Sequence, residues 1–127
     1  MISVLPIKDN KRVEELFLMH NLNYTKYSGA VEAKEAEKIL GYCFFCMDEN
    51  GISIEKIEPT GDIFLADGIL RSALHVAVCN NLHTAFYNEG APVELLKKLN
   101  FILNEQERTL NINKLFESCC SCNNKNT

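Results

Sequence analysis

The sequence has no excess of basic residues, no long apolar run and no internal repeat. Its 13 Lys and Arg stand against 17 Asp and Glu, for a formal net charge of −4 at pH 7. Nucleic acids and membrane surfaces select for basic patches, so neither is an expected partner. No stretch reaches the roughly 20 apolar residues that a membrane-spanning helix needs. The N-terminal MISVLPIKD lacks the basic region and apolar core of a signal peptide, and a cytoplasmic location is the expectation. No solenoid-type period occurs, and only the tail Asn123–Thr127 is biased in composition.

What is present suffices for one folded unit. Apolar residues make up 46% of 127 residues, enough for a core in a single domain. The expected domain spans residues 1–118, followed by a cysteine- and asparagine-rich tail over 119–127. Six cysteines in a reducing compartment are expected to be thiols rather than disulfides. Cys43 and Cys46 have metal-like spacing, but residues three apart on a strand point to opposite faces. Core packing is the expectation for both, and for Cys79. Cys119, Cys120 and Cys122 form a thiol cluster in the tail. It can be read as a soft-metal or redox site, or as free thiols.

Periodicity gives the order of elements. Ile2, Val4 and Ile7 read as a first strand ended by Pro6. Asp9 or Asn10 can cap a helix whose face is Val13, Leu16, Phe17 and His20, with Leu18 and Met19 broadening it so that the helix is well buried. A short strand follows over Gly29–Lys34. Ile39–Asp48 is apolar on both faces and reads as a central strand. Asn50-Gly51 suits a tight hairpin turn. In the next strand Ile52 and Ile54 alternate, then Lys56 takes the apolar position and Ile57 follows. A bulge near Glu55-Lys56 restores the phase. A helix through Leu70, Ala73, Leu74 and Ala77, a strand over His83–Tyr87, a helix from Pro92, a strand at Phe101–Leu103 and a last short pairing near Leu110 complete the order. The fold class is α/β: a mixed, mostly antiparallel central sheet with helices on both faces.

The stretch from Gly51 to Leu82 reads strand, loop, helix, an arrangement that can offer backbone N–H groups to an anion. With the hairpin Leu40–Glu58, the segment Gly68–Leu74, Asn88 and Ala91 after the fifth strand, and the ending Leu95–Phe101, it resembles the GNAT superfamily of acyl-CoA-dependent N-acetyltransferases. The resemblance covers roughly residues 1–118. It implies acetyl-CoA as co-substrate and a small-molecule or amino-terminal amine as acceptor. It places the cofactor against Ile57, Gly68, Ile69, Leu70, Arg71, Ser72 and Asn88. It makes Glu55 or Glu58 the base for the acceptor amine, and Tyr87 the group that protonates the leaving thiolate. The family's loop reads Gln/Arg-x-x-Gly-x-Gly/Ala. Here Gly68 matches, while Leu65 and Leu70 stand at the other two positions, with Asp67 beside them. Leu96 stands where the family often has a tyrosine, and Asn100 where it has a glycine.

Two further readings stay open: a thiol or metal protein working through Cys119, Cys120 and Cys122, and a non-catalytic binding module. A non-catalytic binding module would keep the fold and lose the cofactor loop. Its helix would start earlier, capped by Thr60 or Asp62, with Gly68 inside it and Leu65 or Phe64 filling the diphosphate position. His75 and His83 are isolated bases with packing or helix-end roles as the simpler reading. No metal site is expected outside the tail, and a homodimer is left open.

Overall fold

A computed structural model describes residues 1–117. The thiol cluster at Cys119, Cys120 and Cys122 therefore lies outside the described residues. The elements are β1 (Ile2–Pro6), α1 (Asn10–Met19), β2 (Ser28–Glu35), β3 (Lys38–Asp48), β4 (Gly51–Glu58), α2 (Ile63–Cys79), β5 (Ala85–Tyr87), α3 (Val93–Lys98), β6 (Ile102–Asn104), β7 (Thr109–Leu110) and α4 (Lys114–Glu117). The strands form one seven-stranded sheet in the order β1-β2-β3-β4-β5-β7-β6. β1 to β4 are an antiparallel meander, β4 and β5 run parallel, and β7 pairs antiparallel with both β5 and β6. This is the mixed, mostly antiparallel α/β architecture expected from the sequence and from the acyl-CoA N-acyltransferase resemblance.

The sheet divides the apolar residues into two unequal cores. The larger lies under α2, where Ala66, Ile69, Leu70, Ala73, Leu74 and Ala77 bury one side of the helix against Val31, Cys43, Phe45, Ile52, Ile54 and Ile57. The smaller lies under α1 and consists of Val13, Leu16, Phe17, Ala30 and Phe44. Asp9 caps α1 by accepting from the backbone N–H of Lys11 and Arg12. Arg12 then forms a two-pronged ion pair with Glu32, the one buried charged residue among those described. That hydrogen bond raises the Arg12 pKa further above its ordinary value. A buried carboxylate is tolerated only with such a partner, so the pair fixes where α1 sits on the sheet.

Two burial expectations need correction. Leu18 and Met19 are 65% and 75% exposed, because α1 packs on the sheet through the narrow stripe of Val13, Leu16 and Phe17 alone. Cys79 is exposed at the last turn of α2. Cys43 is buried as expected, and burial pushes its thiol pKa well up.

The bulge in β4 falls where the sequence lost its phase. Phe45 pairs with Ile54 and Phe44 with Lys56, leaving Glu55 as the extra residue. Ile54 and Ile57 can then both enter the main core, while Lys56 turns to the α1 face and reaches His20.

Candidate functional site

β4 and β5 pair over only three residues, Ile52↔Ala85, Ser53↔Phe86 and Ile54↔Tyr87. One more bond, from Asn88 N–H to the Ile54 carbonyl, closes the ladder. Beyond it the two strands part, and the stretch Lys56–Glu58 has no strand partner on its β5 side. The chain then turns away through Asn88–Pro92 into α3. Between this turn, α3 and the end of β4 lies a cleft of about 420 Å³ lined by Thr60, Ala91, Pro92, Val93, Glu94, Leu95 and Lys98.

Glu55 stands at the parting point. The Cys46 thiol donates to its Oε2 at 2.9 Å, and the Asn88 amide Nδ2 donates to its Oε1 at 3.3 Å. Asn88 is itself held, its Oδ1 accepting from Gly90 N–H at 3.2 Å. Ser28 Oγ is 3.9 Å from the Cys46 sulfur. Both Glu55 oxygens thus have fixed donors, which sets the carboxylate's direction. Partial burial, with the adjoining Glu55 carboxylate second, pushes the Cys46 thiol up to about 11.

That shift gives a pH prediction. The unfolded thiol titrates near 9.0 and the folded one near 11. The folded state therefore holds its proton where the unfolded state has released it, and stability falls as pH rises through this window and is unaffected below it. At pH 8, alkylation followed by peptide mass mapping should label Cys79 well before Cys46 or Cys43, and Cys46 should catch up only above about pH 10. Equal labelling of Cys46 and Cys79 at pH 8 would contradict the hydrogen bond to Glu55.

Glu58 lies further along β4 in a second cluster. His20 Nδ1 is 3.3 Å from Glu58 Oε2 and 3.3 Å from Lys56 Nζ, and Lys56 Nζ is 3.7 Å from Glu58 Oε1. The His20 ring packs against Tyr42 and Phe44. Glu55 and Glu58, expected as alternatives for one role, occupy two different settings.

The expected diphosphate loop is not where the sequence placed it. α2 begins at Ile63, with Asp62 as its N-cap. The backbone N–H groups of Gly68, Ile69, Leu70, Arg71 and Ser72 therefore lie within the helix. Ile69 and Leu70 are in the main core. Arg71 pairs with Asp67 at 2.9 Å and stacks on Phe101. Ser72 donates to the Val4 carbonyl. The free end of the helix lies one and a half turns earlier, and the Asp62 carboxylate already accepts from Leu65 N–H there, at 3.1 Å. The helix carries its own anion, so this end does not fit a diphosphate. Phe64 does not fill the space; it is 92% exposed.

Tyr87 is only 3% exposed and belongs to the main core. The Ile57 side chain is also in that core, and only its backbone runs beside the parted edge. His75 and His83 are both exposed. Among the described residues no cluster of His, Cys, Asp and Glu is arranged to hold a metal ion, and no helix is long and apolar enough to cross a membrane.

Sequence reasoning missed His20 and Cys46 as partners of the two glutamates. His20 read as one more position on a helical face and Cys46 as packing. Their partners, Glu58 and Glu55, are distant in sequence, and no periodic signal links them.

The architecture is a mixed-sheet α/β fold with a bulged fourth strand and a fifth strand that parts from it after three residue pairs. No family model and no curated protein sequence matches the chain. Solved structures similar to it include two of acetyltransferase fold. One is an acetyltransferase of the GNAT family from Staphylococcus aureus Mu50, at 9% identity and TM-score 0.48, covering 80% of this chain and 79% of that one. The other is a mutant of the AtaT toxin bound to the C-terminus of the antitoxin AtaR, at 15% identity and TM-score 0.46, covering 87% and 90%.

Proposed function

We propose that this chain is an N-acyltransferase acting on an amine, with Glu55 as the base that takes the acceptor's proton. The observation that carries this reading is Glu55 on the β4 bulge, fixed by Cys46 and Asn88 at the point where β4 and β5 part. An amine attacks a thioester only when deprotonated, and a carboxylate held in one direction can accept that proton directly or through one water. The donor supplies the activated acyl group, and acetyl-CoA is the donor to try first. The parted edge of β4 and the cleft beside α3 suit a narrow polar arm such as pantetheine. Lys98 at the cleft wall is the nearest cation for a phosphate on that arm.

One observation favours the second reading, a binding module without catalysis: the Asp62 carboxylate already accepts from Leu65 N–H at the free end of α2. The two readings separate by melting temperature and by transfer. With millimolar acetyl-CoA or acetyl-pantetheine, the enzyme reading expects a rise of a few degrees from ligand linkage and acyl transfer to at least one member of a panel of primary amines. Acetyl-pantetheine should do nearly as well as acetyl-CoA, since the helix end has no place for the diphosphate. No shift with either donor, and no transfer, would leave the binding module standing.

A further inference from the structure

We infer that the pocket at the ends of β3 and β4 is a binding site for a small primary amine with an apolar body. The pocket has a volume of about 290 Å³ and is lined by Ile39, Leu40, Gly41, Tyr42, Glu58 and Pro59. Glu58 is the single charged residue in that lining. Ile39, Leu40 and Pro59 supply an apolar wall, and Tyr42, paired with Glu58 across the two strands, supplies an aromatic ring. A carboxylate beside an aromatic ring and an aliphatic wall selects an ammonium group on a hydrocarbon body.

The site is built rather than incidental. Glu58 Oε2 lies 3.3 Å from His20 Nδ1, and His20 packs against the rings of Tyr42 and Phe44. Gly41 lets the strand ends approach: a Cβ there would stand 2.3 Å from the Glu58 carbonyl oxygen and 2.7 Å from Pro59 Cδ. One ligand can therefore touch both strands. Lys56 is the competing cation, but it meets Glu58 at 3.7 Å with both side chains partly in solvent. Such a pair contributes little and yields to a better-placed ammonium. As the seat of the acceptor amine, the pocket rests on the acyltransferase reading; as a binding site, it does not.

The test reads binding alone, with no acyl donor present. Phenethylamine and its acidic counterpart 3-phenylpropionate are titrated into the isotope-labelled full chain, and backbone amide shifts are followed. The amine should move the signals of Ile39–Tyr42 and Glu58 with a millimolar dissociation constant, and 3-phenylpropionate should not. Glu58→Gln should weaken the amine about tenfold, the loss of one charge-assisted contact. Equal response to acid and amine, no response of these residues at tens of millimolar, or unchanged affinity in a folded Glu58→Gln protein would each overturn the inference. Amine binding without any acyl transfer would uphold the pocket and sink the enzyme reading. Acyl transfer to amines that leave these signals unmoved would do the reverse.

Discussion

Phe44→Ala should cost about 3–5 kcal/mol, the range for deleting a fully buried ring, and lower the melting temperature by on the order of 10–20 °C. Phe44 is fully buried, with Phe17, His20 and Tyr42 rings at centroid distances of 5.3, 4.8 and 5.5 Å. Phe44 joins the sheet to the buried face of α1 through the Phe17 ring. The loss should therefore concentrate on α1. Hydrogen exchange should show Asn10–Met19 opening first while α2 keeps its protection. Removal of the ring also frees His20, so the Glu58 setting should loosen with it. A stability loss under about 1 kcal/mol, or uniform deprotection of both helices, would show that the two cores are not separate.

Glu55→Gln carries the largest expected effect on activity. Given a donor and acceptor pair that the wild type uses, transfer should fall by about 10²–10⁴, the usual contribution of a positioned general base. The amide keeps the shape and can still take part in hydrogen bonds to Cys46 and Asn88, so the melting temperature should stay within about 2 °C of the wild type. The variant separates Glu55 from Glu58: a base at Glu55 makes Glu55→Gln nearly inactive at saturating amine, whereas Glu58→Gln mainly raises the amine's apparent KM. A loss of less than about threefold in Glu55→Gln, with the fold intact, would remove the base from this position.

The two cases differ in how readable they were. The bulge that displays Glu55 is visible in the sequence, because Lys56 interrupts a period of two that Ile57 resumes, and a sheet buried on that face has one economical way to restore it. The cap at Asp9, the opposite orientation of Cys43 and Cys46, and helices on both faces of the sheet follow from equally local rules. The start of α2 does not. Glycine is poor inside a helix, so Gly68 reads as its boundary; but Ala66, Ile69, Leu70 and Ala73 keep the helical period across it, and burial of that stripe outweighs the roughly 1 kcal/mol that one glycine costs. Leu18 and Met19 misled in the other direction, since apolar character alone does not say how wide a face the neighbouring sheet can cover. The contacts of Glu55 with Cys46 and of Glu58 with His20 depend on strand register and on the seat of α1. Those are set by the whole sheet and by the Arg12–Glu32 pair.

The short ladder between β4 and β5 has a mechanical consequence. Three residue pairs and two flanking bonds, from Ile52 N–H to the Thr84 carbonyl and from Asn88 N–H to the Ile54 carbonyl, join the four-stranded meander to the β5-β7-β6 ribbon. The Asn88–Glu55 hydrogen bond and the side chains packed under α2 add further links between the two parts. The ladder is thus a narrow strap between the two parts of the sheet. With so few strand bonds across it, the ribbon can twist against the meander at low cost in strand pairing.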